Sequence, residues 1–378
     1  MSREYQICTR CIMDTTDPDI VFDEKGECNH CRSYDKLADR KLFSNEKERV
    51  EALNYMLDKI KSVGKKNEYD CIIGLSGGVD SSYVALKVKE CGLRPLAVHL
   101  DNGWNSELAV QNITNIVKKL DIDLITHVID WEEFKDMQLA YFKASVVDIE
   151  VLTDHAIWAI LYKTANKYNI KYIINGSNIA SEAILPMSWI SDKNDLRNIK
   201  AIHSQFGTVK NNTYPQLGIL RLNYYKVIKK IKTFLILNYI DYNKDEAKQL
   251  IQKKLGWRDY GGKHHESFFT KIFQEYILPV KFKIDKRRAH LSTLICSKQI
   301  TRKNALLELQ KNSVQNSTRT ENMNYLIKKM GISKEEFEEI MNLPVKHYTD
   351  YPSYHNSIIY NSIKYIYIII KRAILRGD

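Results

Sequence analysis

Residues 70–82 read DCIIGLSGGVDSS, and this stretch decides the fold. Its first half is a short apolar run of the kind that forms a buried parallel strand. The residues that follow it, YVALKVKE at 83–90, have the spacing of an amphipathic helix. The segment 76–82 is therefore predicted to be a loop at a helix N-terminus, where free backbone N–H groups and the helix dipole attract an anion.

The residue types in this loop suit a phosphate. Gly77 and Gly78 let the backbone approach a ligand closely. Asp80, at the start of the helix, is suited to cap it or to hold Mg²⁺. Three hydroxyls are placed to donate to the same phosphate oxygens: Ser76, Ser81 and Ser82.

The kind of phosphate loop follows from what is missing. A Walker A loop needs a lysine after its glycines, and a dinucleotide fingerprint needs G-x-G-x-x-G; neither pattern is present. The string S-G-G-x-D-S-S instead resembles the pyrophosphate loop of the PP-loop ATPase superfamily. That resemblance implies cleavage of ATP between the α and β phosphates and adenylation of a carbonyl-type oxygen. The alternative interpretation is a serine-glycine turn without a ligand.

Four of the seven cysteines form two pairs near the N-terminus, Cys8-x-x-Cys11 and Cys28-x-x-Cys31. This spacing predicts a zinc ribbon with a closed, structural Zn²⁺ site. His30 replacing one ligand, an iron–sulfur cluster and chance spacing are the alternatives. The other three cysteines show no pairing in the sequence: Cys71 lies in the predicted strand, Cys91 precedes a glycine turn and Cys296 stands alone.

The chain continues with further alternation of strands and helices. Strands are predicted at 94–101, 123–130 and 171–177, and helices at 105–120 and at 153–168, the latter capped by Thr153 or Asp154. Such alternation indicates a parallel sheet with helices on both faces. Ligands bind at the carboxyl ends of the strands in such sheets, where polar stretches occur at 76–82, 99–104 and 175–182.

The rest of the chain is predicted to be helical from about Tyr224 onward, with a helical hairpin around Gly331 capped by Ser333. We therefore divide the chain into a zinc ribbon at 1–40, a PP-loop ATP pyrophosphatase domain at 41–215 and a helical substrate- and pyrophosphate-binding domain at 216–378. The tail from Ile358 to Leu375 is rich in isoleucine and tyrosine. It is expected to pack on the body or on a partner, and a position on a membrane surface is the alternative.

Composition is that of a globular enzyme, with 378 residues, 44% hydrophobic and 27% charged. No signal peptide and no membrane-spanning stretch are evident, so a cytoplasmic location is expected. The net charge is +11, and basic residues concentrate between Arg221 and Lys303. They suit ATP, pyrophosphate and an acidic substrate better than nucleic acid, and a solvated surface is the remaining alternative.

Several strings together resemble the N-acetyl sugar amidotransferase family, which includes the pseudaminic acid protein PseA and the lipopolysaccharide protein WbpG. They are CTRCIMDTTDPDIVFDEKGECNHC, SGGVDSS, HLDNGWNSELAV, NGSNIASEAI and GWRDYGGKHHESFFTKIF, in chain order. The resemblance implies an adenine nucleotide alpha hydrolase-like α/β fold. It also implies conversion of the N-acetyl group of a nonulosonic or uronic sugar, pseudaminic acid foremost, to an acetamidino group, in flagellin glycosylation or lipopolysaccharide biosynthesis.

That reaction requires an activated amide. Attack of the amide oxygen on the α-phosphate of ATP would release pyrophosphate, and ammonia would then displace AMP. The residue after Met1 is Ser2 and no glutaminase-type cysteine–histidine domain is evident. Ammonia is therefore expected from a separate glutaminase subunit or from solution. The alternative class is a tRNA-thiolating PP-loop enzyme, which would need a cysteine or a cluster at its active site.

The candidate site residues fall into four groups. Phosphate ligands would be Ser76, Gly77, Gly78, Asp80, Ser81 and Ser82. The adenosine site would comprise His99, Leu100, Asn102 and Gly176, although His99 also suits a hydrogen-bonded histidine at a strand end. Catalytic groups would be Asp80, Lys263, His264 and Glu266, unless 259–267 is a surface turn. The acidic sugar would be bound by Lys271, Lys286 and Arg287.

Overall fold

A computed structural model describes residues 4–43, 45–261, 265–311, 316–357 and 360, without the side chains of 316–318. At its centre lies one five-stranded sheet in the order β3-β2-β1-β4-β5, in which all the pairings are parallel. The strands are β1 (Cys71–Gly74), β2 (Pro95–Asp101), β3 (Asp123–Val128), β4 (Tyr172–Ile174) and β5 (Lys232–Phe234). The predicted α/β fold with a parallel sheet is confirmed.

Helices connect and flank the strands. Up to β5 they are α1 (Asn29–Lys41), α2 (Glu46–Gly64), α3 (Val79–Glu90), α4 (Glu107–Leu120), α5 (Trp131–Ala144), α6 (Val151–Lys167), α7 (Ile179–Glu182), α8 (Leu196–Phe206) and α9 (Ile219–Asn223). After β5 come α10 (Lys244–Leu255), α11 (Phe268–Ile272), α12 (Lys286–Cys296), α13 (Arg302–Gln310), α14 (Asn316–Met330) and α15 (Lys334–Asn342). A stretch of π-helix, Phe273–Phe282, directly continues α11.

The central strand explains why the site forms where it does. Ile72 of β1 pairs with Leu96 of β2 on one side and with Ile173 of β4 on the other, and all three are buried. From β1 the chain first adds β2 and β3 on one side of the sheet. It later adds β4 and β5 on the other side of β1, so the order of the strands reverses between β1 and β4. A crevice opens at such a switch point, outside the carboxyl ends of the strands. The loops after β1 and β4 therefore face each other.

Three local predictions differ from the structure. Helix α6 starts at Val151, so Thr153 and Asp154 lie in its first turn and neither is its cap. Helix α5, whose N-terminus is capped by Asp130, was not predicted. The segment after Tyr224 is not wholly helical, because β5 pairs with β4 through Ile173↔Thr233 and completes the sheet. The sheet thus includes a strand from beyond residue 215, while the three-domain division remains a prediction.

The helical hairpin near the C-terminus is confirmed. Gly331 has a left-handed φ of +70° between α14 and α15, a conformation that glycine adopts without strain. Ser333 caps α15 by accepting a hydrogen bond from the backbone N–H of Glu336 at 3.0 Å. The tail from Ile358 to Leu375 lies outside the described residues, apart from Tyr360. Among the described residues, no helix combines the length and the apolar character needed to cross a membrane.

Candidate functional site

The predicted loop lies between β1 and α3, and its serines organise it. Ser76 Oγ accepts a hydrogen bond from the Gly78 N–H at 3.2 Å and lies 3.1 Å from Ser81 Oγ. Ser82 is fully buried, and its hydroxyl donates to the Gly78 carbonyl oxygen at 2.6 Å. Gly78 is the N-cap of α3 and has no side chain to satisfy the first turn. The loop therefore presents the start of a twelve-residue helix to the crevice.

Gly77 occupies a position that requires glycine. Its φ is +79°, and a Cβ built there would lie 2.6 Å from the backbone oxygen of Ala109 in α4. The Gly77 carbonyl accepts a hydrogen bond from the buried indole of Trp257 at 2.8 Å. Trp257 lies 180 residues further along the chain. The loop is thus held from one side by α4 and from the other by the segment that follows α10.

The loop after β4 meets the first one at Asp80. A Cβ built on Gly176 would lie 3.3 Å from the backbone carbonyl carbon of Asp80, so the two loops touch. The Tyr242 hydroxyl donates to the Asp80 carboxylate. Burial, together with the negative charges of Asp80 and Glu182, raises the pKa of Tyr242 well above its usual range, so this tyrosine stays protonated and a donor.

Hydrogen bonds to the backbone anchor the described residues on both sides of 262–264, namely 257–261 and 265–268, to the loop after β2 and to α4. The Ser106 N–H donates to the Glu266 carbonyl at 2.8 Å, and the Phe268 N–H donates to the Trp104 carbonyl at 2.8 Å. Asn112 of α4 is fully buried and exchanges two hydrogen bonds with the backbone of Arg258, at 2.8 and 2.9 Å. These contacts join Arg258, Glu266 and Phe268 to α4 and to the loop that follows β2. The catalytic role predicted for 259–267 remains a prediction.

Glu266 and Tyr260 lie over the phosphate loop. A Cβ built on Gly78 would lie 3.2 Å from Glu266 Oε1 and 3.3 Å from the Tyr260 hydroxyl. Burial and the neighbouring charge of Glu266 raise the pKa of Tyr260 well above its usual range, with a smaller contribution from Asp80. The carboxylates of Glu266 and Asp80 thus both raise the pKa of Tyr260, whose hydroxyl lies near the start of α3. Carboxylate oxygens are the ligands Mg²⁺ prefers, so the residues present suit a Mg²⁺–nucleotide complex.

Other predicted catalytic and adenosine-site residues have mixed outcomes. Lys263 and His264 lie outside the described residues. His99 Nδ1 is 2.9 Å from the Leu75 carbonyl, and its Nε2 is 3.1 Å from Asn105 Nδ2. Burial lowers the pKa of His99, in keeping with a neutral ring. These contacts favour the alternative interpretation of His99, a hydrogen-bonded histidine at the end of a strand. His99 joins β2 to Leu75, the residue just before the phosphate loop.

Leu100 and Asn102 are both buried at the end of β2. The Asn102 amide donates to Thr153 Oγ1 at 3.2 Å, and its oxygen accepts from the Trp104 N–H at 3.1 Å. Asn102 therefore connects the loop after β2 to the first turn of α6. Its role in adenosine binding, like those of Leu100 and Gly176, remains a prediction.

The predicted sugar-binding residues have different surroundings, and their role in binding a sugar remains a prediction. Lys286, at the start of α12, pairs with Glu150 at 3.4 Å. Burial alone would lower the pKa of Lys286, but Glu150 and Asp148 outweigh it and raise that pKa. Burial raises the pKa of Asp148 to about 6. Lys271 is half-buried on α11.

Arg287 is engaged in contacts that stabilise the chain itself. Its guanidinium holds Asp285 through two nitrogens, at 2.7 and 3.0 Å, and also donates to the Lys311 carbonyl at 3.2 Å. Further along α12, His290 Nδ1 lies 3.1 Å from the Ser181 carbonyl oxygen in α7. The roles of Lys286 and Arg287 in binding a sugar remain predictions.

Three residues of the site were missed from the sequence. Trp257 and Tyr260 stand in the string that carries the family resemblance, and that string was their only signal. Tyr242 had none, because a tyrosine before an Asn-capped helix is unremarkable in a chain with 23 tyrosines.

The four N-terminal cysteines come together as predicted. All are fully buried, and their sulfur atoms lie within 4.8 Å of one another. The pairs Cys11–Cys28, Cys28–Cys31 and Cys8–Cys31 have sulfur–sulfur distances of 3.6, 3.7 and 3.9 Å. These are close to the edge of about 3.8 Å that a tetrahedron with Zn–S bonds of about 2.3 Å requires. His30 pairs instead with Asp17 at 2.6 Å. The donors fit a structural Zn²⁺.

Cys296 is not alone, contrary to the prediction from the sequence. It is buried at the end of α12, and its sulfur lies 3.8 Å from that of Cys31. Cys71 is buried in β1, and Cys91 is partly exposed at the end of α3.

A phosphate loop of the sequence S-G-G-x-D-S-S, at the switch point of a five-stranded parallel sheet, defines the PP-loop class of ATP-using enzymes. Comparison with known families agrees. The family described as NAD synthase matches residues 50–201, which contain this loop. The family described as "LPS biosynthesis protein WbpG-like, C-terminal domain" matches residues 266–366. Residues 50–201 thus resemble a PP-loop ATP-using domain and residues 266–366 a WbpG-like C-terminal domain. The two matches together support a sugar-modifying enzyme that uses ATP.

Individual relatives are distant. An uncharacterised protein of Methanocaldococcus jannaschii is 25% identical over 174 residues, which cover 46% of this chain and 59% of the relative, so the match spans about three fifths of that relative. Among solved structures, NMN synthetase from Francisella tularensis is 17% identical, with a TM-score of 0.31, over 61% of this chain and 94% of that one. The NH3-dependent NAD synthetase from Campylobacter jejuni is 17% identical, with a TM-score of 0.30, over 56% and 95%. Similarity this low says nothing about activity.

Proposed function

We propose that this protein is an ATP-dependent, AMP-forming amidotransferase that converts the N-acetyl group of an acidic sugar to an acetamidino group. The sugar would be a nonulosonic or uronic acid, with pseudaminic acid the first candidate, and the product would serve flagellin glycosylation or lipopolysaccharide biosynthesis. The observation that carries the proposal is the position of Glu266. This first residue of the WbpG-like match lies over Gly78 of the phosphate loop.

The proposed reaction explains why one crevice would combine these parts. An acetamide has no leaving group, so its oxygen must be activated before ammonia can replace it. The amide oxygen would attack the α-phosphate of ATP, forming a P–O bond while the bond to pyrophosphate breaks. Ammonia would then add to the carbon, lose protons to a base or to solvent, and expel AMP. The protein contributes positioning and charge stabilisation.

Each group of residues has a part in this scheme. The backbone N–H groups and hydroxyls at 76–82 would bind the phosphates of ATP. Asp80 and Glu266 would hold Mg²⁺, which supplies the positive charge that the departing pyrophosphate needs. Tyr242 and Tyr260 stay protonated beside these carboxylates and orient them. Lys286 would bind the sugar carboxylate by exchanging its pairing with Glu150.

A separate partner would supply ammonia. A glutaminase needs a nucleophilic cysteine activated by a base. Of the cysteines in the chain, five cluster at the metal centre, one is buried in β1 and Cys91 ends α3. None of them lies in the crevice. The same placement leaves the tRNA-thiolating alternative without the active-site thiol that it requires.

The test is an assay of the purified chain with ATP, Mg²⁺, an ammonium salt and free or CMP-linked pseudaminic acid. Mass spectrometry should detect the small decrease that replacement of oxygen by NH produces, together with equal amounts of AMP and pyrophosphate. Release of ADP would overturn the adenylation step. If the purified chain alone used glutamine as efficiently as ammonium, the proposal of a separate glutaminase would be wrong.

Two variants make the assay specific. Glu266→Gln keeps the shape of the side chain but removes the charge, so AMP release should fall by at least roughly 100-fold, the scale of one lost electrostatic contact in a catalytic site. Glu308→Gln is the matched control, because Glu308 is an exposed carboxylate on α13 that pairs with Lys311. Its AMP release should stay near that of the wild type. Equal losses in the two variants would contradict the assignment of Glu266.

A further inference from the structure

The metal centre has a fifth sulfur atom beside it. Cys296 is the last residue of α12, and its sulfur lies 3.8 Å from Cys31 Sγ. Within the four-cysteine set, the sulfur pairs Cys11–Cys28, Cys28–Cys31 and Cys8–Cys31 are 3.6, 3.7 and 3.9 Å apart. Cys296 therefore stands as close to Cys31 as one zinc ligand stands to another. It is not among the four sulfur atoms that are mutually within 4.8 Å.

This arrangement places Cys296 just outside one vertex of the tetrahedron. Four thiolates satisfy a structural Zn²⁺, so the fifth sulfur is not needed while Cys31 is bound. If Cys31 leaves, the vacated vertex lies next to Cys296. The remaining ligands, Cys8, Cys11 and Cys28, would keep the ion in place while the exchange occurs.

Firm contacts hold α12 against the ribbon. Arg288 pairs with Asp14 at 3.0 Å and also donates to the Ile12 carbonyl at 2.9 Å. The Ile12 N–H donates to Ser292 Oγ at 3.2 Å. Together these bonds fix the helix along the cysteine-bearing loop. Cys296 therefore stays next to Cys31 when the metal site is disturbed.

The next helix adds contacts at the ligand loop itself. Arg302, at the start of α13, donates to the carbonyls of Cys8 and Cys11, at 2.9 Å each. The metal site is thus enclosed on one side by residues of the WbpG-like region. A sulfur from that region is a natural reserve ligand, since no rearrangement of the backbone is needed to bring it near.

We propose that Cys296 is a reserve ligand of the zinc centre that replaces Cys31. In the exchange the Zn–S bond to Cys31 breaks and the Zn–S bond to Cys296 forms. Cys296 releases its thiol proton to solvent, and the freed Cys31 thiolate takes one up. The ion keeps four thiolates, and the total charge of the site does not change. In the exchanged form the zinc directly joins the ribbon to α12.

The main test compares full-length Cys31→Ser with the double variant Cys31→Ser/Cys296→Ser and with Cys8→Ser. Zinc content is measured by elemental analysis, and affinity by competition with a chromophoric chelator. Cys31→Ser should keep one zinc with an affinity within roughly ten-fold of the wild type, the lower end of the losses of about 10–100-fold that changes in supporting residues cause. The double variant and Cys8→Ser should bind roughly 100-fold more weakly or worse. Loss of zinc from Cys31→Ser equal to that from Cys8→Ser would overturn the proposal.

A second measurement applies if Cys31→Ser does not fold. The wild type and Cys296→Ser both retain the four ribbon cysteines, so both should load one zinc. During exposure to excess chelator, Cys296 would recapture the ion whenever Cys31 dissociates. The half-life of bound zinc should therefore be at least roughly ten-fold longer in the wild type than in Cys296→Ser. Equal half-lives would refute the reserve role.

Discussion

Substitution of Gly77 by alanine should damage the phosphate loop in two ways. The φ of +79° is one that a residue with a Cβ adopts only with strain. The added methyl carbon would also lie 2.6 Å from the Ala109 carbonyl oxygen, which belongs to the backbone of α4 and cannot rotate away. Either the loop or α4 must shift, and the hydrogen bond from Trp257 to the Gly77 carbonyl shifts with it.

The cost can be estimated against a matched glycine. Gly92, after α3, has a similar φ of +71°, but its Cβ would meet only the flexible end of Lys61, at 3.5 Å. The left-handed conformation costs about 1–2 kcal/mol in both variants. The backbone overlap adds about 1–3 kcal/mol at Gly77 alone. Gly77→Ala should therefore lose about 2–5 kcal/mol of stability and Gly92→Ala about 1–2 kcal/mol.

Urea denaturation of the zinc-loaded chain measures this difference, with the transition followed by tryptophan fluorescence. The midpoint should fall clearly further for Gly77→Ala than for Gly92→Ala. Calorimetric titration with ATP and Mg²⁺ then tests the loop itself. Gly77→Ala should bind ATP at least roughly ten-fold more weakly, since one or more loop N–H groups leave their positions. Gly92→Ala should bind ATP as the wild type does.

Equal midpoints for the two variants would show that α4 yields to the methyl group without cost, and the steric argument would fail. Normal ATP affinity in Gly77→Ala would be more serious. It would mean that the geometry at Gly77 does not matter for the phosphate, and the loop at 76–82 would lose its assignment.

Three further predictions concern the surroundings of the loop and the metal. Trp257→Phe keeps the packing but leaves the Gly77 carbonyl without its donor, so the urea midpoint should fall by the equivalent of about 1–2 kcal/mol; an unchanged midpoint would show that the bond contributes nothing. Burial raises the pKa of Asp148 to about 6, above its unfolded value, so its contribution to stability is fully present below the unfolded pKa and is lost as the pH rises through about 6. Relative to the wild type, Asp148→Asn should gain about 1.5 kcal/mol between about pH 5 and about pH 8, and a constant difference in urea titrations would disprove the shift. Cys11→Ser should lose the bound zinc, measured by elemental analysis, and unfold at much lower temperature, because structural zinc contributes about 10–16 kcal/mol in small zinc domains; Cys91→Ser, which alters a thiol away from the cluster, should retain both zinc and stability.

Much of the framework could be predicted because its signals are local. The apolar run of β1, the two glycines and the helix that follows are adjacent in the chain, and backbone hydrogen bonding within that stretch leaves few alternatives. The cysteine pairs are equally local, since two C-x-x-C turns can surround one ion without help from the rest of the chain. Four of the five strands were identified for the same reason.

Errors arose where local signals were weak. The strand β5 is three residues long, and two of them, Lys232 and Thr233, are exposed to solvent. Its sequence therefore does not distinguish it from a loop. Pairing with β4 makes it a strand. Arg287 pairs with Asp285, two residues before it, a contact that was not predicted; its role in binding an acidic sugar remains a prediction.

The sequence by itself determined a phosphate loop between a strand and a helix, and a four-cysteine metal site, because both depend on neighbours a few residues apart. Only the tertiary structure decided what surrounds them. It brought Trp257 and Glu266 onto the loop, gave His99 two hydrogen-bond partners and set Cys296 beside Cys31. These contacts join residues up to 265 positions apart. They depend on how α4, α12 and the crevice pack together, and no local spacing in the chain records that packing.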